Sequence, residues 1–160
     1  MIQLSLTVRD LEAEDLADLE WSGGSEHVHA VAEALTAAYA DEVVMLVVAL
    51  ANGRLVAMGA ADRRPYPGAG LLSMLSVHET FQNLGVGTQL VRELEERLQA
   101  RGLGTARIGV EHDNPRAARL YRRLGYREVG VTVDSWPVSG GRTYVTVNAL
   151  LERDLRDASQ

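Results

Sequence analysis

The run "LLSMLSV" (Leu71 to Val77) passes through "HETFQNLGVG" into "TQLVRELEERLQA", so that Gly85 and Gly87 stand two residues apart where a strand hands over to a helix. That junction constrains the fold more than any other stretch of the chain. Glycine lowers helix stability by about 1 kcal/mol relative to alanine, so two of them at a helix start require a tight turn or a close approach to the backbone. Beyond them Val86, Leu90, Val91, Leu94 and Leu98 form one apolar helical stripe, while Glu93, Glu95, Glu96 and Arg97 fall mostly elsewhere. Gly102 stops the helix, and "TARIGVE" follows as a strand with Ala106, Ile108 and Val110 on one face.

The rest of the chain alternates in the same way. "QLSLTVRD" reads as a strand, and "EAEDLADLEW" and "SEHVHAVAEALTAAYA" carry helical spacing, with Ser25 as cap of the second. "EVVMLVVALANGRLVAMGAAD" is two apolar runs around Asn52-Gly53, the signature of a type I′ hairpin, and "RRPYPGAG" is a loop. After "TARIGVE", Asn114 caps a helix with Pro115 at its first position, Gly125 closes it, and "YREVGVTVD" and "RTYVTVNALL" are strands joined by "SWPVSGG". The order is strand, helices, hairpin, strand, helix, strand, helix, two strands: an α/β (α+β) domain with a mixed sheet. With no repeat, low-complexity tract or linker, the 160 residues are expected to form one domain, 1–160.

Composition removes several function classes. The absence of cysteine excludes disulfides, thiolate metal sites and a cysteine nucleophile, and fits a reducing compartment. No stretch approaches the roughly 18 apolar residues of a membrane span, and "MIQLSLTVRDLEAED" lacks the order of a signal peptide, so a cytoplasmic protein is expected. A net charge of −6 argues against nucleic acid as partner. Yet Arg101, Arg107, Arg116, Arg119, Arg122, Arg123 and Arg127 concentrate positive charge locally, as a patch for a small anion or as a solvated helix face.

The glycine junction offers free N–H groups at the positive end of a helix dipole, a ready anion site; a tight turn without a ligand is the competing reading. A Walker loop needs Gly-Lys-Ser/Thr, absent here, and a dinucleotide fingerprint needs a third glycine where Leu90 stands. Trp21 and Trp136, the two tryptophans, lie in glycine- and serine-bearing segments, where they either line a pocket or cover the core edge.

"QNLGVG" resembles the Q/R-x-x-G-x-G/A signature of the GCN5-related N-acetyltransferase (GNAT) superfamily, and "EHDNPRAARLYRRLGYREVG" is similar to its second marker, an Asn before a helix that carries a Tyr and closes on Gly-Tyr. The two occur in the family's order and together cover Leu71 to Val131. The resemblance implies a mixed, mostly antiparallel central sheet with a splayed parallel strand pair and helices on both faces. It implies an acetyl-coenzyme A-dependent N-acetyltransferase acting on a primary amine by direct attack in a ternary complex, without a metal, as monomer or homodimer. A coenzyme A-binding or sensing domain that has lost transfer is the alternative.

Carried over residue by residue, the pyrophosphate contacts are Gln82, Asn83, Leu84, Gly85, Val86, Gly87 and Thr88. Leu75, Ser76 and Val77 pair with the pantetheine arm and supply an amide to the thioester carbonyl. Asn114 and Ala117 are further cofactor contacts, with Arg116, Arg119 and Arg123 available to the phosphates. Ala117, Leu120, Tyr121 and Leu124 form one stripe, and spacing alone favours a core role for Tyr121; the resemblance reverses this, because Tyr121 matches the tyrosine that protonates the departing thiolate. The strand "LLSMLSV" carries no acid for a general base. Glu111 is the best-placed carboxylate, ahead of Glu79, His78 and His112. The acceptor, a small-molecule or protein amine, is not named by these residues.

Overall fold

A computed structural model describes residues 5–156. Seven strands form one sheet in the order β1-β2-β3-β4-β5-β7-β6: β1 Leu6–Asp10, β2 Val43–Leu50, β3 Leu55–Asp62, β4 Ala69–Val77, β5 Thr105–Glu111, β6 Arg127–Val138 and β7 Arg142–Asp154. Every pairing is antiparallel except β4 with β5. Helix α1 (Gly24–Tyr39) covers one face, and α2 (Val86–Ala100) and α3 (Pro115–Arg123) the other. Residues 1–4, including the start of the expected first strand, lie outside the described residues.

Burial on both faces explains why β2 reads as the unbroken apolar run "VVMLVVAL". Its Val43, Met45 and Val47 meet Val31 and Leu35 of α1, while Val44, Leu46 and Val48 join the core that holds Leu90, Leu94 and Leu98 of α2. Leu94 and Leu98 are fully buried, and truncating either to alanine costs about 2–5 kcal/mol. Helix α2 closes as read: Gly102 N–H donates to Gln99 O at 2.9 Å and Leu103 N–H to Leu98 O at 3.0 Å.

Three local expectations are corrected. "EAEDLADLEW" forms two 3-10 turns, Ala13–Asp18 and Glu20–Ser22, in place of an α-helix; Asp15 turns inward to take both guanidinium nitrogens of Arg9 at 2.8 Å and the Glu12 N–H at 2.8 Å. Helix α1 is entered through Gly23, with Ser25 already inside it and not capping. The β2–β3 turn has Gly53 N–H donating to Leu50 O and Leu50 N–H to Arg54 O, both at 2.9 Å, with positive φ at Gly53 but not at Asn52. This is a three-residue type I turn with a glycine bulge, since type I′ needs both central residues left-handed.

Candidate active site

The site begins where the parallel pair comes apart. Strands β4 and β5 pair only from Ala69 opposite Thr105 to Leu72 opposite Ile108, although β4 continues to Val77 and β5 to Glu111. The cause lies in β4. Between the pairs Ala60–Ser73 and Met58–Ser76, β4 carries one residue more than β3, and Met74 has φ of 56°; such a bulge bends a strand away from its neighbour. Gly59 makes room for it, since a Cβ there would stand 2.5 Å from Leu75 Cδ2. Past the bulge, His78 N–H donates to Val56 O at 2.7 Å on the β3 side, so strand alternation turns the N–H and C=O of Val77 into the slot. Gln82 Nε2 donates to that Val77 carbonyl at 3.1 Å, which ties the following loop to the slot.

The N-terminus of α2 opens onto the same slot. Gly85 is its N-cap, in the left-handed conformation at φ 82°, and no side chain caps the helix. The first helical bond runs from Gln89 N–H to Gly85 O at 3.1 Å, leaving the N–H groups of Val86, Gly87 and Thr88 without helical partners, and no acid occupies the first turn. Gly85 is explained by its φ. Gly87 is not: its φ is outside the positive range, and an added Cβ would meet only Val77 Cγ2 at 3.6 Å, an ordinary contact. The fold accepts alanine at Gly87, so the bare backbone there suits an anion that must come close.

Slot and helix end line a cleft of about 610 Å³ whose far wall is α3. Leu75, Ser76, Val77, Gln82, Asn83, Gly85, Gly87, Thr88, Asn114, Ala117 and Tyr121 line it, bringing together nearly all of the expected cofactor contacts. Leu84 and Val86 differ and do not line the cleft: the Leu84 side chain is exposed, and that of Val86 is buried in the core. Arg116 and Arg123 line the cleft and Arg119 does not; Arg116 reaches across to Asn83 Oδ1. Phe81, Leu90, Val91 and Leu120 complete the wall; Leu90, Val91 and Leu120 read from the sequence as apolar helix stripes, and Phe81 carries no signal there.

Helix α3 starts on Asn114, whose Oδ1 accepts the Ala117 N–H at 3.2 Å. Tyr121, 7% exposed, packs edge-on to Tyr126 with ring centroids 5.8 Å apart. Burial pushes its phenol up to about 12, because the phenolate would lose hydration. Tyr126 in turn donates its hydroxyl to Glu95 Oε2 at 2.7 Å, and Arg92 and Arg153 reach Glu95 Oε1 at 2.8 and 2.6 Å. Glu95, expected off the buried stripe, is only 3% exposed. It joins α2 to β7 and to Tyr126, the residue just before β6, next to Tyr121.

A model of the Acetyltransferase (GNAT) family matches residues 9–126. The chain belongs to the GNAT family of acetyltransferases. It is 30% identical over 76 residues to the [ribosomal protein bS18]-alanine N-acetyltransferase of Escherichia coli K12, an alignment covering 48% of this chain and 51% of that protein. The chain thus spans about half the length of the curated relatives it matches. The crystal structure of the ribosomal-protein-S18-alanine N-acetyltransferase from Escherichia coli superposes with a TM-score of 0.72 at 20% identity, over 94% of each chain. A spermidine N-acetyltransferase from Vibrio cholerae, in complex with CoA and spermine, reaches 0.75 at 19% identity over 97% of this chain and 98% of that one. At these identities the two structures show the shared fold.

Within this GNAT fold the candidate proton carriers divide between the faces of β5. Ala106, Ile108 and Val110 point to the α2–α3 core, where Tyr121 lies. Glu111 stands opposite Asn148 of β7 on the other face, outside the Tyr121 cleft. His78 is held between Trp21 and Phe81, at 5.2 and 6.0 Å, and its Nδ1 accepts the Thr80 N–H. Glu79 and His112 are exposed. Trp136 stacks on Tyr144 at 4.8 Å on the β6–β7 hairpin, whereas Trp21 lines a separate cavity.

Proposed function

We propose that this chain is an acetyl-coenzyme A-dependent N-acetyltransferase that passes the acetyl group directly to a primary amine in a ternary complex. The observation that carries the reading is the meeting, in one cleft, of the β4–β5 slot, the uncapped α2 N-terminus and the Tyr121 phenol. The N–H groups from Gly85 to Thr88 fit a pyrophosphate, with Arg116 and Arg123 adding positive charge. The slot-facing N–H and C=O of Val77 fit the amides of an extended arm that pairs as an added strand. When bound, acetyl-coenzyme A supplies the acyl group as a thioester. Tyr121 holds a proton on Oη throughout the neutral range and is the group that returns it to the sulfur. Glu111, on the opposite face of β5, is the proposed base that takes a proton from the incoming amine, directly or through water. Placement on opposite faces suits an acceptor and a leaving group that occupy opposite sides of the slot.

The test is twofold. Acetyl-coenzyme A should raise the melting temperature of the folded protein, and a panel of amines should release free thiol from it. A melting temperature that ignores acetyl-coenzyme A overturns the reading; stabilisation without thiol release from any amine makes the chain a coenzyme A-binding domain.

A further inference from the structure

On the α1 face a second cavity, of about 440 Å³, is lined by Asp18, Trp21, the β2–β3 turn from Asn52 to Leu55, and His78. Its polar groups are mostly donors. Trp21 contributes its ring to the wall, and its Nε1 is buried without a hydrogen-bond partner. His78 Nδ1 accepts the Thr80 N–H at 3.2 Å, so the neutral ring carries its hydrogen on Nε2. The Arg54 guanidinium lies 5.5 Å over the Phe81 ring and forms no ion pair among the described residues. Asp18 is the single acid in the lining. An imidazole N–H and a planar guanidinium fork complement a carboxylate with its two acceptor oxygens. A polyamine would find only Asp18.

The position of the cavity links it to the slot. Trp21, Leu55 and Met74, the bulge residue of β4, belong to one apolar cluster on the α1 face, the side of the sheet on which Glu111 also lies. We propose that this cavity binds the carboxylate of the amine acceptor, so that the substrate class is an amine bearing a carboxylate, with its nitrogen at the slot and its anion held by His78 and Arg54 beside the Trp21 ring. The assignment to the acceptor rests on the transfer reading above; binding of a carboxylate in the cavity does not.

The cavity is tested in a Trp136→Phe protein, where Trp21 is the sole indole. Succinate should change Trp21 fluorescence saturably, succinamide should not, and Arg54→Gln should weaken the succinate response about tenfold. No response to succinate, or an equal response to succinamide, overturns the site. The acceptor is tested by thiol release from acetyl-coenzyme A with amino acids and their carboxamides, free of lysine self-acetylation because the chain contains no lysine. The free acids should exceed the amides about tenfold in kcat/KM, and Arg54→Gln should erase the preference while acetyl-coenzyme A still stabilises the protein. Equal turnover of acids and amides, with succinate bound, makes the occupant a free carboxylate and overturns the acceptor assignment. If acetyl-coenzyme A fails to stabilise the protein, the transfer reading falls, and the fluorescence titration still decides the cavity.

Discussion

Replacing Gly87 with alanine separates a glycine kept for folding from one kept for a ligand. The added methyl would meet only Val77 Cγ2 at 3.6 Å, and the backbone already has a φ that any residue adopts. Alanine gains up to about 1 kcal/mol over glycine in a helix interior, less in a first turn, so Gly87→Ala should unfold at the wild-type urea midpoint or slightly above it. Its effect on the ligand is opposite in sign. The methyl occupies cleft space beside N–H groups that have no helical partner. A hydrogen bond to a charged group is worth about 1.5–3 kcal/mol, so losing one phosphate contact weakens acetyl-coenzyme A binding by roughly 10- to 150-fold. Isothermal titration calorimetry on the variant measures that change. Gly85→Ala is the control: nothing lies within 4 Å of its Cβ, but φ is 82°, and the left-handed conformation costs a non-glycine residue about 1–2 kcal/mol. An acetyl-coenzyme A affinity within about twofold of wild type in a stable Gly87→Ala protein would refute the anion-cradle argument.

Tyr121→Phe should leave stability within about 0.5 kcal/mol, because the hydroxyl has no hydrogen bond among the described residues, yet lower kcat about 100-fold or more; an unchanged kcat removes Tyr121 as the acid. With the phenol pushed up to about 12, the pH profile of kcat should show no alkaline loss from Tyr121 below pH about 10. Tyr126→Phe removes the donor to buried Glu95 and should cost about 1.5–3 kcal/mol in urea unfolding, whereas Glu95→Ala, which strands Arg153 and Arg92, should cost about 3–5 kcal/mol. The Arg9 hydrogen bonds hold the Asp15 carboxyl below its ordinary value. Its contribution is therefore complete above the unfolded value of about 3.9 and fades as pH falls through the folded one. Asp15→Asn should flatten that acid limb in unfolding curves taken from pH 7 downwards, and an unaltered limb assigns it to other carboxylates.

The order of elements was legible because apolar periodicity switches cleanly from two to 3.6 along the chain, and because Gly102, Asn114, Pro115 and Gly125 punctuate the helices with residues whose backbone needs are local. Glu95 shows where such reading stops. Counting from Val91, positions 94, 95 and 98 share one helical face, so the spacing fits a buried Glu95 as well, although it reads as falling off the stripe. The partners that make a buried carboxylate tolerable, Tyr126 and Arg153, arrive from 31 and 58 residues away, a distance at which helical spacing carries no information. The bulge at Met74 was hidden for a similar reason. Methionine in an apolar strand signals nothing about a positive φ, and the residue that permits the bend, Gly59, sits on the neighbouring strand among small residues that read as ordinary packing.

That bulge also decides what the alternation in β5 means. The run Ile108-Gly109-Val110-Glu111 places Glu111 out of phase with the core in any strand, and on a fully paired sheet Glu111 would be one more solvated carboxylate. Because pairing with β4 ends at Leu72 and Ile108, Glu111 lies on the part of β5 that has no β4 partner, on the sheet face opposite the one that holds Tyr121. The proposed base and acid are thus separated by strand parity alone, and neither can reach the other's face without a change of register. Moving the bulge, for instance by deleting Met74, should close the slot by restoring β4–β5 pairing past Leu72 and abolish acetyl-coenzyme A stabilisation, even though every side chain lining α2 and α3 remains. Retained stabilisation by acetyl-coenzyme A in a folded deletion variant would show that the α2 terminus alone holds the ligand and that the parted strands are not needed for it.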